Sequence, residues 1–120
     1  MSVAKKLQIK QGQQVAVLGA PADVVLDLDP ADLVDDAAEA DAVVLFVRNT
    51  ADLSTRDGAS LVEAARRDAL AWVAYPKAGR LGTDLNRDSL NALLVERGAR
   101  GVRQIAIDVT WSALRFRPVG

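Results

Sequence analysis

Two uninterrupted apolar runs, Ala42-Val43-Val44-Leu45-Phe46-Val47 and Leu70-Ala71-Trp72-Val73-Ala74-Tyr75, do most to limit what this chain can fold into. Each is too short for a typical helix and too apolar for a strand with one wet face. They read as strands covered on both sides, the habit of a parallel sheet. Between them, residues 52–67 put Leu53, Leu61, Val62 and Ala65 on one side of a helix. Gly58 inside that helix costs about 1 kcal/mol relative to Ala, so a break or second start is expected there.

The remaining elements follow from weaker signals. Val3 to Ile9 forms a short amphipathic helix ended by Gly12, and Gln14–Leu18 a first strand stopped by Gly19-Ala20-Pro21. Residues 24–28 alternate weakly, as a short edge strand would. Asp29-Pro30 is a helix start, an acceptor at the N-cap followed by proline at the first helical position. Leu33, Val34, Ala37 and Ala38 would share the buried face of that helix, with Asp32, Asp35, Asp36 and Glu39 in water. A last helix runs from Arg87 to Arg97 on the stripe Leu90, Leu93 and Leu94, and Gly98 takes its left-handed C-terminal position. Two strands close the chain, 102–108 and 112–117, joined as an antiparallel hairpin.

Strands that alternate with helices imply a parallel sheet with right-handed crossovers. The fold class is therefore α/β: one domain over residues 1–120, with an open, mostly parallel sheet of Rossmann-like type. Right-handed crossovers place the intervening helices on one face, yet the strands offer apolar residues to both. Either residues 19–40 or a second subunit must cover the other face, and a homodimer is one expectation.

Composition removes whole classes of chemistry. The chain has no His and no Cys, so disulfides, thiolate nucleophiles, imidazole catalysis and the usual zinc sites are excluded. No apolar stretch approaches the roughly 20 residues that span a bilayer, and no signal peptide is evident, so a cytoplasmic protein is expected. The formal net charge of −1 disfavours a nucleic-acid-coating role. That mean conceals segregation. Residues 23–41 carry eight acids and no base, whereas residues 77–120 carry eight bases against four acids. The acidic block is not a calcium loop, which needs an internal glycine that residues 20–57 lack. No metal and no cofactor are expected.

Two resemblances bear on the fold. From Ala42 onward the layout is similar to the C-terminal half of class I methyltransferases, whose terminal hairpin inserts its last strand beside the strand before the helix. This resemblance implies the strand order 1-2-3-5-4. It does not extend to the cofactor apparatus, because Pro21 and Ala22 stand where further glycines belong. The segments VLFVRN (44–49), WVAYPKAGRLGTDLNRDSL (72–90) and IAIDVTWSALRFRP (105–118) resemble a family of small bacterial proteins catalogued as a domain of unknown function. That likeness implies a standalone α/β protein and no particular reaction.

Ligands of open α/β sheets bind beyond the carboxyl ends of the strands. There the loop after the third strand brings Lys77, Gly79, Arg80, Gly82 and Thr83, with Arg87 opening the next helix and Arg48 on the neighbouring strand end. Positive charge, permissive glycines and free helix N–H groups suit an anionic, phosphorylated small molecule. The same residues also suit plain helix capping, with Thr83, Asp84 or Asn86 as the cap and Arg87 or Lys77 paired to Asp84 or Asp88. Trp72, Tyr75 and Trp111 read as packing residues. Arg115 and Arg117 share a sheet face, where their stems cover apolar surface or meet an acidic partner. The functional expectation is a non-enzymatic interaction or ligand-binding module. The alternative is an enzyme or binding protein for an anionic small molecule at loop 77–87.

Overall fold

The computed structural model describes residues 2–77 and 79–119. Its centre is one five-stranded sheet in the order β1-β2-β3-β5-β4. The strands are β1 (Val15–Leu18), β2 (Ala42–Phe46), β3 (Leu70–Pro76), β4 (Ala99–Ala106) and β5 (Trp111–Pro118). β1, β2 and β3 run parallel, and β5 inserts antiparallel between β3 and β4. This is the order that the resemblance to class I methyltransferases implied. All five residues of β2 are buried, as its uninterrupted apolar run requires.

One face packs against α2 (Arg56–Arg66) and α3 (Arg87–Val95). Leu61, Ala65, Leu90 and Leu94 meet Val43, Leu45, Val73, Leu114 and Phe116 there. The other face is covered by the chain's own N-terminal third. Leu7, just after α1 (Val3–Lys6), and Leu26 bury against Val44, Trp72, Ala113 and Trp111. Residues 3–9 and 24–28 thus do what a second subunit was invoked to do, and the uncovered-face argument for a homodimer lapses.

Residues 24–28 achieve this without a strand. Leu26 turns inward while Val25 stays 69% exposed, and Asp27 takes a left-handed φ of 59° that interrupts any extended run. The helix expected from Asp29 onward is also corrected. Asp29 caps by accepting from Ala31 N–H, but only a single 3₁₀ turn, Pro30–Asp32, follows. The open edge of β1 claims the next residues: Leu33 bridges to Val15 in parallel, and Val34 N–H donates to the Val15 carbonyl at 2.9 Å. A second 3₁₀ turn, Ala37–Glu39, is capped by Asp36. The Arg67 guanidinium clamps it, donating to the carbonyls of Ala37 and Ala40 at 2.9 Å each. The acidic block therefore crosses over the β1 edge, from one sheet face to the other.

The long helix after β2 is divided, as its glycine suggested, but the break falls at Thr55. A 3₁₀ segment, Thr50–Ser54, ends there, and Thr55 caps α2 by accepting from Gly58 N–H. Among the described residues, no helix is long and apolar enough to cross a membrane.

Candidate functional site

Parallel β1, β2 and β3 deliver their C-terminal loops to one edge of the sheet, and the β4–β5 turn joins them through a Lys77 N–H bond to the Thr110 carbonyl at 2.8 Å. The loop after β3 is built from local turns. Gly79 and Gly82 adopt φ of 76° and 67° with open space where a Cβ would stand, so they serve the turn rather than a close approach. Leu81 between them is also left-handed, at φ 55°, and exposed. Ala78 lies outside the described residues. Lys77 and Arg80 are linked through the backbone, Arg80 N–H donating to the Lys77 carbonyl.

The polar residues that follow are engaged within the protein. Thr83 Oγ1 accepts from Leu85 N–H at 3.0 Å. Asp84 Oδ1 accepts from Thr50 N–H at 2.8 Å, tying the loop after β3 to the loop after β2. Hydrogen bonds from Thr50, chiefly its backbone N–H, hold the Asp84 carboxyl below its ordinary pKa. Asn86 and Ser89 form a reciprocal capping box at the start of α3. Arg87 Nε lies 3.3 Å from Asp88 Oδ1, both side chains largely in water. The protein's own carboxylate thus occupies an N–H group that an anion at this edge would seek.

The seven candidate residues do not converge on one point. Arg48 lines a small cleft over β1 and β2 with Gly19, Asp52, Asp57 and Trp111, where two carboxylates offset its charge. Its backbone N–H donates to Asp52 Oδ2 at 2.7 Å. Arg87 instead lines a groove of about 380 Å³ on the far side of α3, between that helix and β4. Asp88 and Asn91 accompany Arg87 on the helix wall, residues 101–104 form the strand wall, and Leu114 also lines the groove.

This groove includes Asn91 and Gln104, to which the sequence alone assigns no role. Gln104 Nε2 donates to the Tyr75 hydroxyl at 3.0 Å. Burial pushes the Tyr75 pKa above its ordinary value, and the positive charge of Arg87 opposes that shift. The phenol is therefore neutral near pH 7 and retains its proton as a donor. Asn91 Oδ1 accepts from Gly101 N–H at 2.7 Å, a bond on the strand's outer edge. The pairing of β4 with β5 shifts register between Gly101 and Arg103, leaving Val102 as the bulged residue. That slip sets Gln104 opposite Leu114 on the helix-covered face, and Arg103 opposite Arg115 on the other. A period-two reading of β4 without the bulge misassigns these faces.

Beyond the groove, Arg117 pairs with Asp68 through two hydrogen bonds, at 2.9 and 3.0 Å. The Arg117 hydrogen bond holds the Asp68 carboxyl below its ordinary pKa, and Asp68 in turn raises that of Arg117. This pair closes the end of β5 against the turn before β3. Among the described residues, no three His, Cys, Asp or Glu side chains gather as a metal centre would need. No protein-family model, curated protein or solved structure matches the chain.

Proposed function

We propose that this chain is a non-enzymatic binding module that takes an anionic partner in the groove between α3 and β4. One observation carries the reading. Arg87, Asp88, Asn91, Arg103 and Gln104 line one concavity of about 380 Å³, and Gln104 is held by its hydrogen bond to the buried Tyr75 hydroxyl. Its wall is mostly polar, with two cationic side chains against one carboxylate, which suits an anionic occupant. The exposed Arg87–Asp88 pair is weak in water, so a partner's carboxylate or phosphate competes for the guanidinium at little cost. Loop 77–87 contributes through Arg87, while Thr83, Asp84 and Asn86 hold the loop and helix in place.

The test is a thermal-shift and amide-chemical-shift screen with inorganic phosphate, nucleotides, sugar phosphates, S-adenosylmethionine and poly-glutamate. Saturable binding that perturbs Gln104 and disappears in Arg87→Ala, with the compound recovered intact, is the expected result. Binding indifferent to Arg87→Ala, or consumption of any compound, overturns the reading.

A further inference from the structure

The two edges of the sheet are finished differently. The β1 edge is occupied by Leu33 and Val34. Among the described residues, the β4 edge has no strand beside it. We propose that an extended acidic peptide of another protein adds to β4 as a sixth strand, lying in the groove between β4 and α3. This rests on the groove reading above and names the partner class.

The backbone pattern shows which groups are available. Ile107 N–H donates inward to the Trp111 carbonyl, so antiparallel alternation turns the N–H and C=O of Gln104 and Ala106 away from β5. Lys6 Nζ takes the Ala106 carbonyl at 3.3 Å, as expected of an outward-facing acceptor. Further along, Asn91 Oδ1 holds Gly101 N–H at 2.7 Å, a side-chain carbonyl standing where a neighbouring strand's carbonyl would stand. The edge is thus partly dressed by side chains, and between those two points Gln104 offers both of its backbone groups.

Charge selects the occupant. β4 contains two arginines and no acid, and the register puts Arg100 and Arg103 on the same face as Arg115. Arg115 Nε is buried without a hydrogen-bond partner, while another of its nitrogens donates to Gln8 Oε1. Arg87 stands over the opposite face of the added strand. Side chains of an extended peptide alternate between faces, so carboxylates at successive positions meet Arg103 on one side and Arg87 on the other. Two copies of β4 paired edge to edge would bring like charges together, an arrangement that arginine-bearing edges resist.

The decisive probes are three blocked heptapeptides of identical pattern, three central glutamates, serines or lysines flanked on each side by two valines. They are read by fluorescence anisotropy and by hydrogen exchange at Gln104 and Ala106. The glutamate peptide is expected to bind best, to weaken with salt and to slow exchange of both amides. Ala106→Ser keeps the backbone donor and should retain binding. Ala106→Pro removes it and should weaken binding about tenfold, while an edge N–H that faces outward tolerates proline in the fold. The amide protection in the unmodified protein decides the matter if the proline variant does not fold. Binding without protection at these amides, equal loss in both variants, or preference for the lysine peptide overturns strand addition. So does concentration-dependent dimerisation that the glutamate peptide leaves intact. If small anions still respond to Arg87→Ala while all three peptides fail, strand addition falls and the groove reading stands.

Discussion

The indole Nε1–H of Trp72 donates to the backbone carbonyl of Leu7 at 2.9 Å, both residues fully buried. This bond fastens the N-terminal segment across the middle of the sheet. Trp72→Phe keeps most of the apolar bulk but leaves the Leu7 carbonyl buried without that donor. The expected loss is about 1–3 kcal/mol, the cost of stranding a buried acceptor. Chemical denaturation measures it, and amide exchange of residues 3–9 should accelerate more than that of α3.

Gly58 offers a sharper test, because propensity and packing disagree in sign. On propensity alone, Gly→Ala inside α2 should gain about 1 kcal/mol. A Cβ at this position would fall on the Leu53 backbone carbonyl, far inside contact distance, and backbone cannot swing aside. Gly58→Ala is therefore expected to destabilise by about 1–3 kcal/mol. A rise in the thermal midpoint would mean that the 3₁₀ segment before α2 is looser than its packing implies.

Asp84 links two loops through a bond that depends on its charge. Its folded pKa lies below the ordinary value, so the stabilisation is complete above the unfolded pKa and is lost as pH falls through the folded one. Asp84→Asn keeps an oxygen for Thr50 N–H but removes the charge. The variant should melt lower than the parent at neutral pH, and the gap should close as pH falls through the folded pKa. A gap that stays constant across the acid limb would remove the carboxylate's charge from the explanation.

What the sequence made legible divides along the range of the signals. β2 and β3 announce themselves because a strand buried on both faces needs no partner information beyond its own apolar run. Gly98, at φ 93°, was legible for the same local reason. The Asp29 cap is legible and its consequence is not, since the same acceptor–proline pair starts a 3₁₀ turn as readily as a helix. What decided the outcome was the β1 edge some 18 residues earlier, which took Val34 N–H into the sheet. The groove was hidden in the same way. Arg87 was visible by charge, but Tyr75 and Gln104 meet across 29 residues, and the bulge that sets Gln104 facing the helices leaves no mark in composition.

Tyr75 is the only tyrosine in the chain, so its ionisation can be followed by ultraviolet absorbance without overlap from another phenol. Burial raises its pKa above 10.0, while Arg87 and the Gln104 hydrogen bond pull it back by favouring the phenolate. Because the folded value exceeds the unfolded one, this stabilisation is complete below the unfolded pKa and is lost as pH rises through the folded one. Gln104→Ala and Arg87→Ala each remove a group that favours the charged form, so each should move the titration midpoint further up. An acidic ligand seated beside Arg87 should do the same, by bringing negative charge toward the phenolate. A midpoint that drops in Gln104→Ala would show that solvent reaching the phenol outweighs the lost hydrogen bond.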